Sequence, residues 1–232
     1  MSTLLIQAGG IVTGGRVQGR CTVTVASGRI AGVDAGHDIQ PRHGEPVLDA
    51  SGLTLVPGMI DLHTHGASGA HAGSGTTRDL ARMAEFYAAH GVTGFLASVG
   101  GDQESIEAGL GAVAAFAADE GDGSGARCLG AHLESPFINS DSAGAFPPAT
   151  VVAPDPCLLD HYLQRARGWL KVLTIAPELP GALPLIKRAV AAGVVCAAGH
   201  SLADAEQMQR GIEAGIGHVT HLSSVCRWGR RS

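Results

Sequence analysis

No two cysteines stand in a C-x-x-C spacing, and the five present, at positions 21, 128, 157, 196 and 226, are scattered and odd in number. A disulfide framework is therefore not expected, and a reducing, cytoplasmic setting is. Long hydrophobic runs are also missing. No apolar stretch reaches the ~18 residues that a membrane helix needs, and the longest, 189–199, is short and built of small residues. Positive charge is sparse: the formal net charge is -5, which leaves no basic stripe for nucleic acid and no polybasic patch for a membrane surface. Residues 1–10 lack the basic n-region of a targeting peptide. What remains is 232 residues, 45% of them hydrophobic and 16% charged, enough to bury a core as one large domain or two smaller ones.

Residues 1–56 read as a small β domain. Thr22-Val23-Thr24-Val25 and Arg29-Ile30-Ala31-Gly32-Val33 alternate on either side of Ser27-Gly28, a hairpin pattern, and Val47-Leu48-Asp49-Ala50 and Leu53-Thr54-Leu55-Val56 flank Ser51-Gly52 as a second one. His37 and His43 lie in loop composition between them. From position 57 strands alternate with helices: a strand over 59–65, a helix over 76–90 with Leu80, Met83, Ala84 and Tyr87 on one face, a strand over 92–99, a helix over 104–118 and a strand over 127–133. A helix opening at Asp155-Pro156, a strand over 169–176, a helix over 184–192, a strand over 194–198, a helix over 201–214 and a strand over 216–222 follow. Repeated βα units imply a parallel sheet, either doubly wound or a barrel, and both gather ligands at the carboxyl ends of their strands.

Polar residues collect at that edge. In the run Asp61-Leu62-His63-Thr64-His65, period-two alternation sends Asp61, His63 and His65 to one face. Glu134 follows the third strand of this series, His200 the fifth and His221 ends the sixth. Imidazole and carboxylate without thiolate suit Zn²⁺, with Fe²⁺ or another divalent ion as the alternative. His132 shares the face of Glu134 and is either a hydrogen-bond partner of the site or a core histidine; His218 is expected on the opposite face, and His71, His90 and His161 carry no pattern.

The runs Val56 to Gly66, His132-Leu133-Glu134-Ser135-Pro136-Phe137, Thr174-Ile175-Ala176-Pro177-Glu178, Ala198-Gly199-His200-Ser201 and Val219-Thr220-His221-Leu222 resemble the N-acetylglucosamine-6-phosphate deacetylase family of the amidohydrolase superfamily. The resemblance implies an α/β chain built as an incomplete TIM-like (β/α) barrel of six of the eight βα units over 57–222, preceded by the small β-sandwich-type domain. It implies that Glu134, His200 and His221 hold the principal metal, with His63 and His65 at a second position or supporting the first, hence one or two ions. Ala145, Ser224 and Val225 would contact the substrate, an amino-sugar phosphate from which acetate is released, and the enzyme would be a homo-oligomer. Lys171 sits at the start of the fourth strand rather than where a bridging carboxylated lysine would be needed.

Several positions depart from the family's pattern. Ser135 replaces a glycine, Phe146 stands where a sugar-contacting histidine is usual, and Ser223-Ser224 replace an aromatic residue and an asparagine. About 175 residues follow position 57, against the ~250 of a complete barrel. Neither the family's proton-transferring aspartate nor its phosphate-binding arginine can be matched, so the catalytic residue is unknown. Residues 223–232, with arginines at 227, 230 and 231, are expected to be an irregular, out-of-frame tail on a truncated product that depends on a partner or dissolves poorly. Two alternatives therefore stay open: an inactive metal-binding fragment of such an enzyme, and an amidohydrolase with another amide substrate.

Overall fold

The computed structural model describes residues 3–36, 39–119, 125–222 and 224. The chain divides into two compact units, Met1–Gly58 and Met59–Ser232.

The first unit is one five-stranded sheet: β1 (Thr3–Thr13), β2 (Arg16–Gln18), β3 (Cys21–Ala26), β4 (Arg29–Ala35) and β5 (Val47–Leu55). β3 and β4 form the expected hairpin, with Ser27 and Gly28 both in the left-handed region that its turn requires. The second expected hairpin is overturned. Val47 to Leu55 run as one strand parallel to β1, and Ser51-Gly52 is absorbed as an irregularity opposite Gly9, where a Cβ would lie 2.2 Å from Ser51 O. Small residues that resemble a turn here serve a close approach of two strands. Ala8, Ile11, Cys21 and Val23 are the buried centre of this unit.

The second unit is a parallel sheet of six strands in the order β13-β12-β11-β10-β9-β6. These are β6 (Met59–Thr64), β9 (Val92–Val99), β10 (Arg127–Leu133), β11 (Leu170–Ile175), β12 (Val195–Ala198) and β13 (Ile216–Val219). The two-residue strands β7 (Gly66–Ala67) and β8 (Ala70–His71) make a separate ladder. Between the sheet strands run α1 (Thr77–Ala89), α2 (Gln103–Ala118), α3 (Pro156–Ala166), α4 (Ala182–Ala191) and α5 (Ala205–Ala214). Neighbours in sequence are neighbours in the sheet, so this is the winding of a TIM-like barrel carried through six strands and left open.

Local chemistry accounts for the helices. Thr76 Oγ1 accepts the Asp79 N–H at the start of α1, Asp155 caps α3 ahead of Pro156, and Asp204 with Gln207 forms a capping box on α5. That last cap starts α5 at Ala205, four residues later than the expected 201, because Ser201 and Leu202 are hydrogen-bonded elsewhere. α1 buries Leu80, Met83, Ala84 and Tyr87, the face expected from spacing. The strands alternate, with irregularities in β10, β12 and at the β10–β11 pairing. Phe95, Ala97 and Val99 of β9, Ala131 and Leu133 of β10, and Leu173 and Ile175 of β11 pack into the large core that includes the helices. Their neighbours on the other face, Leu96, Val172 and Ala197 with Leu129, form a small apolar layer inside the curl of the sheet. Two residues further along these strands the inner face turns polar, with Ser98, His132 and Thr174. No helix among the described residues is long and apolar enough to cross a membrane.

Candidate metal centre

Beyond the polar layer, at the carboxyl end of the sheet, side chains converge on Glu134. The residue follows β10 directly, and its carboxylate is almost fully buried. Glu134 Oε1 lies 2.7 Å from His221 Nε2, 3.0 Å from His200 Nε2 and 3.5 Å from His63 Nε2, and Oε2 lies 2.7 Å from His65 Nε2. The four histidines named as candidate ligands thus all lie within 3.5 Å of the fifth, the Glu134 carboxylate. Burial alone would raise the Glu134 carboxyl above its ordinary value, but contacts with His200, His65 and His63 outweigh it and hold the group well below the carboxylate range.

The backbone that aims these rings is unusual. His200 and His221 adopt φ of 49° and 58°, the left-handed region that β-carbon sterics disfavour. Strand β13 ends at Val219, not at 222 as expected, so that His221 turns out of the strand and into the cluster. His63 is fixed through its other nitrogen: Nδ1 lies 3.1 Å from His132 Nδ1 and 3.2 Å from Ser98 Oγ, and its backbone N–H donates to Asp61. Burial pushes the His63 imidazolium below its usual value against the pull of Glu134. His200 Nδ1 is 3.0 Å from Ser142 O, which leaves Nε2 to face the carboxylate.

Several contributors had no such role assigned from the sequence. His71, dismissed for lack of pattern, stacks on His65 with ring centroids 5.9 Å apart. Phe146 stands between two candidate ligands, 6.3 Å from the His65 ring and 5.6 Å from His200, and Gly100 makes room for it, since a Cβ there would meet the Phe146 ring at 2.7 Å. Glu178 holds the segment after His200: Oε2 accepts the Ser201 hydroxyl at 2.6 Å, and Oε1 accepts the Leu202 N–H at 2.7 Å and the Asn139 amide at 3.0 Å. A carboxylate three residues past a buried strand was the available signal. His132 resolves as a buried hydrogen-bonded histidine beneath the cluster, whereas His218 is exposed. Lys171 donates to Gly168 O and takes no part in the cluster. Ala145 is exposed beside Phe146, and Ser224 is exposed with its N–H donating to His221 O; Val225 and the rest of the tail expectation, with His37, lie outside the described residues.

The donor set fits a divalent cation. The ligand atoms of His63, Glu134 and His221 lie within 4.8 Å of one another. Glu134 Oε2, although near His65, is buried without a hydrogen bond of acceptable direction, an orphaned anionic oxygen that a cation would satisfy. Imidazole and carboxylate donors of this kind bind zinc and other first-row divalent ions.

Known proteins resemble the chain in sequence and in fold. The chain is 32% identical to the N-acetylglucosamine-6-phosphate deacetylase of Bacillus subtilis over 222 residues, covering 95% of this chain and 56% of that one. Over the span that aligns, the chain is similar to the N-acetylglucosamine-6-phosphate deacetylases. An N-acetylgalactosamine-6-phosphate deacetylase from a Shewanella species is 30% identical over 224 residues, with 55% of its length covered. Among solved structures, the deacetylase of Mycobacterium smegmatis in complex with N-acetyl-D-glucosamine-6-phosphate superposes with a TM-score of 0.85 at 32% identity, over 97% of this chain and 57% of that one. No family model matches the chain. The chain spans a little over half the length of the deacetylases it matches.

Proposed function

We propose that this chain carries the metal-binding core of a hydrolase that removes acetate from the 2-acetamido group of an amino-sugar phosphate. The observation that supports it most is Glu134, a buried carboxylate held ionised among four imidazoles with one oxygen still unsatisfied. Glu134, His200 and His221 would hold the principal ion, with His63 and His65 supporting it or a second one. Zn²⁺ is the ion we favour, on the nitrogen and oxygen donors. When bound, such an ion polarises an amide carbonyl and brings the pKa of its water to ~7.

The remaining roles fall to the chain's own residues. Asp61 orders the His63 backbone and His200 is turned by Ser142 O. Phe146 forms an apolar wall against which the acetyl group would lie, and Ala145 and Ser224 would meet the sugar. The free cysteines, three of the four described ones buried, favour a cytoplasmic setting.

A second reading is that the 232-residue span binds metal without turnover by itself, which the greater length of the relatives supports. Incubation of the 232-residue chain with zinc and either N-acetylglucosamine-6-phosphate or its galactosamine epimer separates the two. Acetate release that a chelator abolishes supports the hydrolase; stoichiometric zinc without acetate supports the second reading. Failure to bind any divalent ion overturns both.

A further inference from the structure

Beneath the candidate metal centre runs a continuous chain of polar groups from β6 through β10 and β11 to the residue that follows β13. His63 Nδ1 on β6 lies 3.1 Å from His132 Nδ1 on β10. His132 Nε2 lies 2.7 Å from Thr174 Oγ1 on β11, and Thr174 Oγ1 lies 2.9 Å from Thr220 Oγ1, the residue just before His221. His132, Thr174 and Thr220 are all buried. The packing there is tight, since a Cβ on Gly199 would meet Thr220 and Thr174 at 2.8 and 2.9 Å. A polar chain in such a place is costly unless each donor has an acceptor.

Proton bookkeeping restricts it further. Two Nδ1 atoms 3.1 Å apart share room for one hydrogen. In one arrangement His132 carries it, facing also Leu62 O at 3.3 Å. His63 then accepts at Nδ1, keeps its own proton on Nε2 and turns an N–H toward Glu134, while Thr174 donates to His132 Nε2. In the other arrangement His63 carries hydrogen on Nδ1, with Ser98 Oγ as a further acceptor, and its Nε2 lone pair is free to bind a cation. His132 must then carry its proton on Nε2 and donate to Thr174, whose own hydroxyl turns to Thr220. Each imidazole holds one proton in both arrangements, so the net charge is unchanged and only the nitrogen that bears it differs.

We propose that His132 is a positioning residue which, with the Thr174 hydroxyl as its acceptor, selects the His63 tautomer able to ligate metal. The idea rests on the metal-binding reading above. It makes Thr174, which touches no candidate ligand directly, a determinant of metal affinity. The variant Thr174→Val keeps shape and removes the acceptor, and Thr174→Ser restores it. Zinc titration of the full chain is expected to show affinity lowered ~10-fold or more in T174V and restored in T174S, with thermal denaturation confirming that each variant folds.

A second measurement needs no variant. Nitrogen-15 spectra of histidine-labelled protein should show His63 passing from the Nε2–H to the Nδ1–H form on zinc addition, and His132 passing the opposite way. Equal zinc affinity in wild type and folded T174V, or unchanged tautomers on loading, overturns the role of His132 and leaves the metal site standing. A wild-type chain that binds no zinc overturns both.

Discussion

Glu134 concentrates the electrostatics of this molecule in one side chain. A buried carboxylate with a depressed pKa is tolerated only where its neighbours donate to it or share its charge with a cation. Replacing it by glutamine keeps volume and removes the anion. E134Q is expected to lose zinc affinity by at least ~100-fold, beyond what the loss of an outer hydrogen-bond partner costs, as read by equilibrium dialysis. Retained affinity would place the ion elsewhere. A different titration belongs to Cys196, fully buried in β12, where burial pushes the thiol up to about 12 from an ordinary value of 9.0. The unfolded chain loses this proton first, so the thiol's contribution is intact below pH 9 and is lost as pH rises towards 12. Between pH 8 and 10 the wild type should lose ~1 kcal/mol more stability than C196A in urea unfolding; parallel losses would show that Cys196 does not set the alkaline limb.

At the scale of elements, the strand ends make the site, and their spacing is tight. Gly199 lies between the end of β12 and His200, and a methyl group there would sit 2.8 Å from Thr220 Cβ and 2.9 Å from Thr220 O. G199A is therefore expected to cost ~1–3 kcal/mol by overpacking, visible as a lower melting temperature, and to weaken zinc binding because Thr220 carries His221. A variant as stable as wild type would mean that the strand ends can part without strain. The same elements show what the sequence made legible. Short apolar runs alternating with helical patterns located the six sheet strands and the five helices, and the rule that ligands gather at strand ends found all five converging residues. Positive φ at His200 and His221 was not legible, since nothing local marks a histidine for the left-handed region. Nor was the parallel pairing of β5 with β1: Ser51-Gly52 carries a turn signal, and only contact with the distant Gly9 decides against it. The buried polar layer of Ser98, His132 and Thr174 was readable in principle as polar residues interrupting apolar strands. Its partners, however, lie 35 to 70 residues apart in sequence, beyond any local pattern.

For the whole molecule, the open sheet is the governing feature. Among the described residues β6 pairs only with β9 and β13 only with β12, so each presents a row of backbone donors and acceptors along its outer side. The β6 edge is also apolar: Met59, Ile60 and Leu62 are 59%, 59% and 47% exposed. Exposed strand edges with hydrophobic side chains template association with other strands unless a charge or proline interrupts them. The side chains of Ile60 and Leu62 alternate with those of Asp61 and His63, so a charge can be placed there without entering the metal centre. The 232-residue chain is expected to self-associate in the micromolar range, and I60K to shift the population towards monomer with zinc affinity unchanged. Sedimentation velocity over a concentration series reads both. A wild-type chain that stays monomeric at ~100 µM would mean that the edge is already covered, and I60K should then reduce folding stability rather than association.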